Sequence, residues 1–231
     1  MTANPEPLVR CVGVARTFGT GRAAVVAVFG VNCVVRAAEQ IALVGPSGSG
    51  KSSLLHLMAA LDAPTSGTIS WPALGAKADL RPGPVGVVFQ GPSLLAPLDV
   101  AQNVALPLLL QGVDADLADV SARASLARLE LSELAEKLPE ELSGGQAQRV
   151  AVARVLASSP RLILADEPTG QLDHAAGAHV IDVLLTAATE TGAALIVSTH
   201  DPAVAERMAT RWEMTNGRLL GTEREGATCS A

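Results

Sequence analysis

The pattern of hydrophobic and polar positions divides this chain of 231 residues into strand-like and helix-like stretches. Short runs rich in Val, Ile and Leu, bounded by Gly or polar residues, predict β-strands. These runs cover residues 8–14, 23–36, 40–44, 86–89, 162–166 and 194–199. The last two runs, LILAD and ALIVST, are almost wholly apolar, which is typical of strands buried on both faces of a parallel sheet with helices above and below.

Helical patterns lie between these runs. GKSSLLHLMAAL at 50–61 predicts a helix directly after a strand, and the Pro- and Gly-rich residues 63–85 predict a loop with one further strand. From 94 to 138 the pattern is helical, with Asp99 placed to cap VAQNVALPLLL.

Within that region, the segment 121–138 has Leu126, Leu129 and Leu134 at roughly helical spacing with charges between them, which predicts a second helix. We therefore expect an α/β fold in one domain over 1–231. Its catalytic lobe is formed by 8–90 and 146–220, a helical subdomain at 91–145 is inserted between them, and a loose tail follows at 221–231.

Composition narrows the classes of function. Apolar residues make up 48% of the chain, so a sizeable core is expected, and the net charge of −6 argues against a nucleic-acid-binding protein. The three cysteines, Cys11, Cys33 and Cys229, match no metal spacing and are expected to be spare thiols in a reducing compartment. No signal peptide is visible, and the longest mostly apolar segment, 23–35, is shorter than the ~20 residues that span a bilayer. Any membrane role is therefore expected to come through a partner.

The stretch GPSGSGKS at 45–52 fits G-x-x-x-x-G-K-[ST] at every defined position, between a predicted strand and a predicted helix. Glycines let the backbone approach a phosphate closely, and the helix N-terminus adds partial positive charge. We expect Lys51 to reach the β- and γ-phosphates and the Ser52 hydroxyl to bind Mg²⁺. The predicted nucleotide-binding residues of this loop are Gly45, Pro46, Ser47, Gly48, Ser49, Gly50, Lys51, Ser52 and Ser53.

An acidic pair lies at the end of the buried run LILAD. Asp166 ends that run and is expected to reach the water shell of the Mg²⁺ ion, while Glu167 is free to act as general base on the attacking water. Alone, an Asp-Glu pair before Pro could simply cap a turn. Behind a phosphate loop, the metal and base roles are the stronger interpretation.

The stretch ELSGGQAQRVAVAR at 141–154 places a Ser-Gly-Gly turn at the start of a predicted helix and offers no acid, base or nucleophile. Such a turn is an anion site in its own right, so the chain carries two phosphate-binding surfaces for one nucleotide. The simplest arrangement is a two-fold dimer in which each LSGGQ turn closes the phosphate loop of the other subunit.

These motifs together resemble the nucleotide-binding subunit of an ATP-binding cassette (ABC) transporter from about residue 8 to 220. They occur in the order of the family: GPSGSGKS, a lone Gln90, LSGGQ, LILADE, Asp173 and His200. The resemblance implies a P-loop NTPase with a mixed central sheet, an N-terminal antiparallel β portion and an inserted helical subdomain. It also implies an ATP hydrolase that uses ATP and Mg²⁺ and acts as a homodimer.

The resemblance further implies roles for single residues. Gln90 touches Mg²⁺ and the water and senses the membrane partner, and His200 contacts the γ-phosphate. Asp173 lies at the dimer seam. The γ-phosphate of the opposite subunit's ATP is held by Ser143, Gly144, Gly145 and Gln146.

The adenine in this family usually stacks on an aromatic residue near the N-terminus, often Tyr, and this chain has no Tyr. Phe18 stands at the matching place and can stack equally well. The alternative is that Phe18 packs in the core.

Several stretches, among them LADEPTGQLD, resemble one branch of the family, the lipoprotein-release and macrolide-export ATPases of the MacB/LolD type, with the cell-division ATPase FtsE as a close relative. That resemblance implies a transmembrane permease partner of the FtsX/MacB type and a cytoplasmic location, peripheral on the inner face of the membrane. Two departures near the expected permease-docking groove put the partner's identity in doubt. Residues 71–84 look shortened, and Asp99 and Gln102 replace the usual Thr and Glu.

Other classes remain open at this point. A soluble ABC ATPase acting on DNA or ribosomes would usually add a coiled coil, a zinc hook or a second cassette. An importer-type ATPase would pair with another kind of permease. A degenerate cassette would bind ATP only as a switch, although Lys51, Asp166, Glu167 and His200 speak against that. A P-loop kinase or GTPase would leave LSGGQ and His200 unused.

Overall fold

A computed structural model describes residues 5–224, which form two β-sheets and six α-helices. The strands are β1 Val9–Phe18, β2 Val25–Val35, β3 Gln40–Val44, β4 Ser66–Ser70, β5 Val85–Val88, β6 Leu162–Asp166, β7 Ala194–Thr199, β8 Thr210–Thr215 and β9 Arg218–Arg224. The helices are α1 Lys51–Met58, α2 Val100–Leu110, α3 Ala115–Arg128, α4 Gly144–Ala157, α5 His174–Thr191 and α6 Pro202–Ala205. Among residues 5–224, every helix is too short or too polar to cross a bilayer.

The larger sheet has six strands in the order β5-β6-β7-β3-β8-β9. The first five are parallel, and β9 pairs with β8 antiparallel. Strands β6 and β7 are buried at every position, as their apolar sequences predicted. Because β5, β6, β7 and β3 are parallel neighbours, their carboxyl ends meet at one edge of the sheet.

The smaller sheet is antiparallel, with β1 between β2 and β4. Cys11 and Cys33 face each other across β1 and β2, and both are buried, free thiols, as expected for the cysteines that the structure describes. A hydrogen bond with Cys11 and burial raise the pKa of the Cys33 thiol. Cys229 lies outside the described residues.

The core occupies both faces of the six-stranded sheet because successive side chains of a buried strand point to opposite sides. Ile41 and Leu43 of β3 pack with α1 and the smaller sheet, whereas Ala42 and Val44 face a cluster that includes α2, α3, α4 and α5. The helices between β5 and β6 therefore share one continuous apolar cluster with the sheet.

Two expectations about elements were wrong, and four elements were not predicted. The helix expected over 121–138 is α3, which begins after the cap Asp114 and ends at Arg128; Glu130 then adopts a positive φ, and a short 3₁₀ turn carries Leu134 into the core. The sequence pattern indicated none of α5, α6, β8 or β9. Residues 221–224 of the tail expected from 221 belong to β9, which ends at Arg224, and the rest of that expected tail lies outside the described residues.

Candidate active site

The phosphate loop connects β3 to α1, as the sequence predicted. Gly50, which precedes α1, has φ +103°, and a Cβ at that position would lie 2.1 Å from the carbonyl oxygen of Ala27. At Gly45, a Cβ would lie 2.1 Å from the carbonyl oxygen of Met214. The backbones of strands β2 and β8 therefore lie in close contact with this loop, and only glycine fits at both positions.

The side chain of Lys51 folds back across the phosphate loop that precedes it. Its side chain is only 5% exposed, and its Nζ donates to the carbonyl oxygens of Gly45 at 2.9 Å and Pro46 at 3.2 Å. The same Nζ lies 3.8 Å from Oε1 of Glu167. The ammonium group is thus held over the loop by two carbonyl oxygens and paired with the carboxylate of Glu167, which directly follows β6.

Glu167 is fixed through its backbone. Its N–H donates to the carbonyl oxygen of Ser198 at 3.1 Å and to Ser198 Oγ at 3.0 Å, and its φ is +44°. The Ser198 hydroxyl in turn donates to Asp166 Oδ1, and this hydrogen bond is buried. Nδ1 of His200 lies 3.5 Å from Oε2 of Glu167. Sequence reasoning missed Ser198, since a serine within an apolar strand gives no local signal.

One cleft of about 490 Å³ brings together most of the residues predicted to act on the nucleotide. Its lining contains Lys51, Ser52, Gln90, Glu167 and His200. It also contains Ser47, Gly48, Gly50 and Ser53 of the loop, and the β2 residues Val25, Val26 and Ala27, which sequence reasoning did not single out. Gly45 and Pro46 border a neighbouring cavity of about 280 Å³ together with His200.

The donor set at this cleft fits a magnesium ion. Ser52 contributes a hydroxyl and Gln90 a carboxamide oxygen, and the buried carboxylate of Asp166 lies at the end of the adjoining strand. Oxygen ligands of this kind, supplemented by water and phosphate, are those that Mg²⁺ prefers.

Phe18 lies at the end of β1, opposite Val25 in the strand register. The residue is 43% exposed, so the alternative that it packs in the core is wrong. Phe18 is not part of the cleft lining, but its strand partner Val25 is. The guanidinium of Arg16 lies 4.6 Å from the Phe18 ring centroid, and Arg16 Nε donates to Asp62 at 2.7 Å. One face of the ring is therefore backed by a fixed cation.

Residues 143–146, called the signature turn below, begin α4 on an exposed surface. Ser143 Oγ accepts from the N–H of Gln146 at 3.2 Å, and Gln146 Oε1 accepts from the N–H of Ser143 at 2.9 Å, which forms a complete capping box. Neither these residues nor Asp173, which caps α5, line the cleft of their own chain. Within the described chain, the phosphate loop thus shares one cleft with Gln90, Glu167 and His200, and the signature turn lies outside that cleft.

The model of the family described as ABC transporter matches residues 28–170, more than half of the chain. The chain belongs to the ABC transporter family. Its curated relatives include the lipoprotein-releasing system ATP-binding protein LolD of Shewanella oneidensis, 39% identical over 221 residues, which cover 93% of this chain and 96% of the relative. LolD of Gluconobacter oxydans is 41% identical over 219 residues, covering 92% and 95%.

Solved structures agree with this assignment. A dimeric, post-hydrolysis structure of the ATP-binding cassette MJ0796, bound to ADP and Pi, has a TM-score of 0.87 and 33% identity, covering 94% of this chain and 98% of that one. The cassette cbiO1 of Clostridium perfringens has a TM-score of 0.81 and 26% identity, covering 95% and 89%. The ABC-cassette fold expected from the motifs is confirmed, and the protein is an ATP-binding, ATP-hydrolysing subunit of a transporter.

Proposed function

We propose that this ATPase drives a lipoprotein-release system, or a related export or mechanotransmission system, through a separate permease of the FtsX/MacB type. The proposal places the protein in the cytoplasm, on the inner face of the membrane. It is supported by the extended similarity to LolD proteins, which the name of each relative assigns to a lipoprotein-releasing system. The alternative within the family is an importer-type pairing, and the experiment below separates the two.

The roles proposed for single residues rest on the shared cleft. The amide groups of the phosphate loop and Lys51 bind the β- and γ-phosphates of ATP, and the β2 residues Val25 and Val26 border the path toward Phe18, the proposed adenine platform. Ser52, Gln90 and Asp166 hold Mg²⁺ directly or through water. The ion, when bound, neutralises charge that develops on the β- and γ-phosphate oxygens.

Glu167 is the proposed general base. Its position is set by two hydrogen bonds from its N–H to Ser198, and its carboxylate lies between Lys51 and His200. The carboxylate accepts a proton from the attacking water as the oxygen of that water bonds to the γ-phosphorus, while the bond from the γ-phosphorus to the β–γ bridging oxygen breaks and ADP leaves. His200, which is 71% exposed, is proposed to contact the γ-phosphate from the open side of the cleft.

The observation that carries the dimeric part of the proposal is the separation of the nucleotide cleft and the signature turn in one chain. Lys51 and Glu167 share a cleft, while the signature turn presents the N-terminus of the 14-residue helix α4 on an exposed surface outside that cleft. A second copy related by two-fold symmetry would place each signature turn over the cleft of its partner. Asp173 would then lie near the seam, and MJ0796, a structural neighbour, is described as dimeric.

A membrane pull-down tests this proposal. The Glu167→Gln protein is tagged, trapped with Mg-ATP in gently solubilised membranes, and its companions are identified; the Lys51→Ala protein serves as the control that should not be trapped. A permease with few membrane helices and a large extracytoplasmic domain is the expected result. A six-helix permease with a binding protein would move the chain to the importer branch, and a purely soluble complex would overturn the transport pairing.

A further inference from the structure

Gln148 is a polar side chain inside the core that the mechanism above does not use. It lies in α4 and is 0% exposed, and its Nε2 donates to the carbonyl oxygen of Phe89 at 3.0 Å. Phe89 directly precedes Gln90, whose side chain lines the nucleotide cleft. Helix α4 therefore holds the backbone immediately before a residue proposed to touch Mg²⁺ and the attacking water.

A second side chain of α4 holds the other end of the same segment. Arg154 donates through Nη1 to the carbonyl oxygen of Ser93 and through Nη2 to Ser93 Oγ, both at 3.0 Å. At Gly86, a Cβ would lie only 2.5 Å from Cγ1 of Val155. Helix α4 thus packs against β5 and is tied to Phe89 and Ser93, which lie on either side of Gln90. Residues 89–93 are called the Gln90 segment below.

The same helix begins with the signature turn. A helix of 14 residues is stiff over this length, so a displacement of its N-terminus is passed along its axis to the groups that it holds. We propose that Gln148 is a positioning residue that makes α4 and the Gln90 segment move as one unit, so that contact at the signature turn sets Gln90 in this chain's own cleft. The inference rests on the role of Gln90 proposed above.

The one hydrogen bond that the described chain gives the Gln148 side chain is the bond donated to the Phe89 carbonyl oxygen. Within the described chain, Oε1 of Gln148 is buried and has no hydrogen-bond partner. Losing this one hydrogen bond is a modest cost in stability. The substitution Gln148→Met, which keeps the length of the side chain, should therefore change the melting temperature little.

The experiment measures the ATPase turnover number, the ATP affinity and the melting temperature of Gln148→Met. We expect kcat to fall about tenfold or more, since small displacements of catalytic groups have large effects, while ATP affinity changes less than about twofold. The matched control is Asn103→Leu, because Asn103 is an equally buried carboxamide, with three donated bonds and one accepted bond inside the helical region. That variant should lose more stability and keep its kcat.

A second variant keeps the test decisive if Gln148→Met folds poorly. In Gln148→Glu the new carboxyl is buried, so its pKa is raised, and only its protonated form can donate to the Phe89 carbonyl oxygen. Its activity relative to wild type should rise as the pH falls from 8 to 6. A ratio that stays flat over this range would count against the hydrogen bond as the source of the effect.

Other results would overturn the inference. If Gln148→Met keeps kcat within twofold of wild type, or if Asn103→Leu lowers kcat as much, Gln148 does not position Gln90. The variant Gln90→Ala is measured in parallel to distinguish the role of Gln148 from the role of Gln90. If Gln90→Ala lowers kcat and Gln148→Met does not, only this inference fails. If Gln90→Ala has wild-type kcat, the role proposed for Gln90 itself is wrong.

Discussion

Nζ of Lys51 lies 3.8 Å from Oε1 of Glu167, so the phosphate-binding cation and the proposed base form an ion pair at the floor of one cleft. The lysine is 5% exposed and the glutamate 20%, which places the pair largely out of water. Removing one partner of such a pair leaves the other charge less compensated. Substitutions at these two positions are therefore coupled, and each prediction for one needs the other as a reference.

Glu167→Gln should bind ATP and dimerise but stop hydrolysing it. The glutamine side chain keeps the shape of glutamate, and the backbone hydrogen bonds of residue 167 are unchanged. Proton abstraction is lost, which should lower the hydrolysis rate about 100-fold or more. Phosphate release and gel filtration with Mg-ATP measure the two effects, with Glu140→Gln, an exposed position, as the control. Wild-type turnover in Glu167→Gln would show that another group is the base.

Lys51→Ala should weaken nucleotide binding itself. A charge-assisted contact to phosphate contributes about 2 kcal/mol, so the dissociation constant for ATP should rise roughly 30-fold. The double variant with Glu167→Gln should bind better than Lys51→Ala alone, because the unpaired carboxylate no longer repels the phosphates. Equilibrium binding of a fluorescent ATP analogue measures this, and Lys137→Ala, an exposed lysine, is the control. Undiminished affinity in Lys51→Ala would contradict the phosphate-loop role.

Gly50→Ala should destabilise the fold as well as the site. The added methyl group would lie 2.1 Å from the Ala27 carbonyl oxygen, and the position has φ +103°. We expect a loss of about 3 kcal/mol or more in the free energy of unfolding. Gly112→Ala is a matched control, because its φ is +81° but no atom lies within 4 Å of its Cβ; it should lose only about 1 kcal/mol. Equal losses in denaturant titrations of the two variants would rule out the close approach as the cause.

Phe18→Ala should weaken the binding of ATP without affecting inorganic tripolyphosphate, which has no base to stack. A stacking contact of about 1 kcal/mol corresponds to a roughly fivefold change in affinity, and Phe18→Tyr should preserve it. Phe29→Ala is the control, since Phe29 is also an exposed phenylalanine, with Arg218 at 4.1 Å from its ring centroid. Calorimetric titration with both ligands checks the prediction, and a parallel loss for tripolyphosphate would argue against an adenine platform.

Gly144→Asp should abolish hydrolysis while leaving the chain folded. A Cβ at Gly144 would make only an ordinary contact of 3.5 Å to Gln171 Oε1, and a carboxylate suits a helix N-terminus but repels a phosphate. Mixed with Lys51→Ala, it should recover up to about a quarter of wild-type activity, because half of the dimers then contain one intact composite site. The double variant Lys51→Ala/Gly144→Asp, mixed with wild type, is the control for subunit exchange. If the subunits exchange but no activity is recovered, the active site is not formed by residues of both subunits.

Much of the fold and the phosphate loop could be predicted because their determinants are contiguous. GPSGSGKS specifies its loop through glycines and a following helix, and the apolar runs 162–166 and 194–199 coincide with β6 and β7. Asp99 caps α2 as its place before an apolar helix predicted. The end of α3 could not be predicted in this way. Leu126, Leu129 and Leu134 have roughly helical spacing, but the helix ends at Arg128 and a 3₁₀ turn buries Leu134 in the core.

By itself, the sequence determined which chemical groups this protein carries and the ABC family to which it belongs, since motifs act through neighbours along the chain. Only the tertiary structure decided which groups meet. The order of β5, β6, β7 and β3 brings Gln90, Glu167, His200 and the phosphate loop to one edge of the sheet. Ser198 beneath Glu167, Gln148 beneath Phe89 and the outward-facing signature turn follow from long-range packing, which no local spacing encodes.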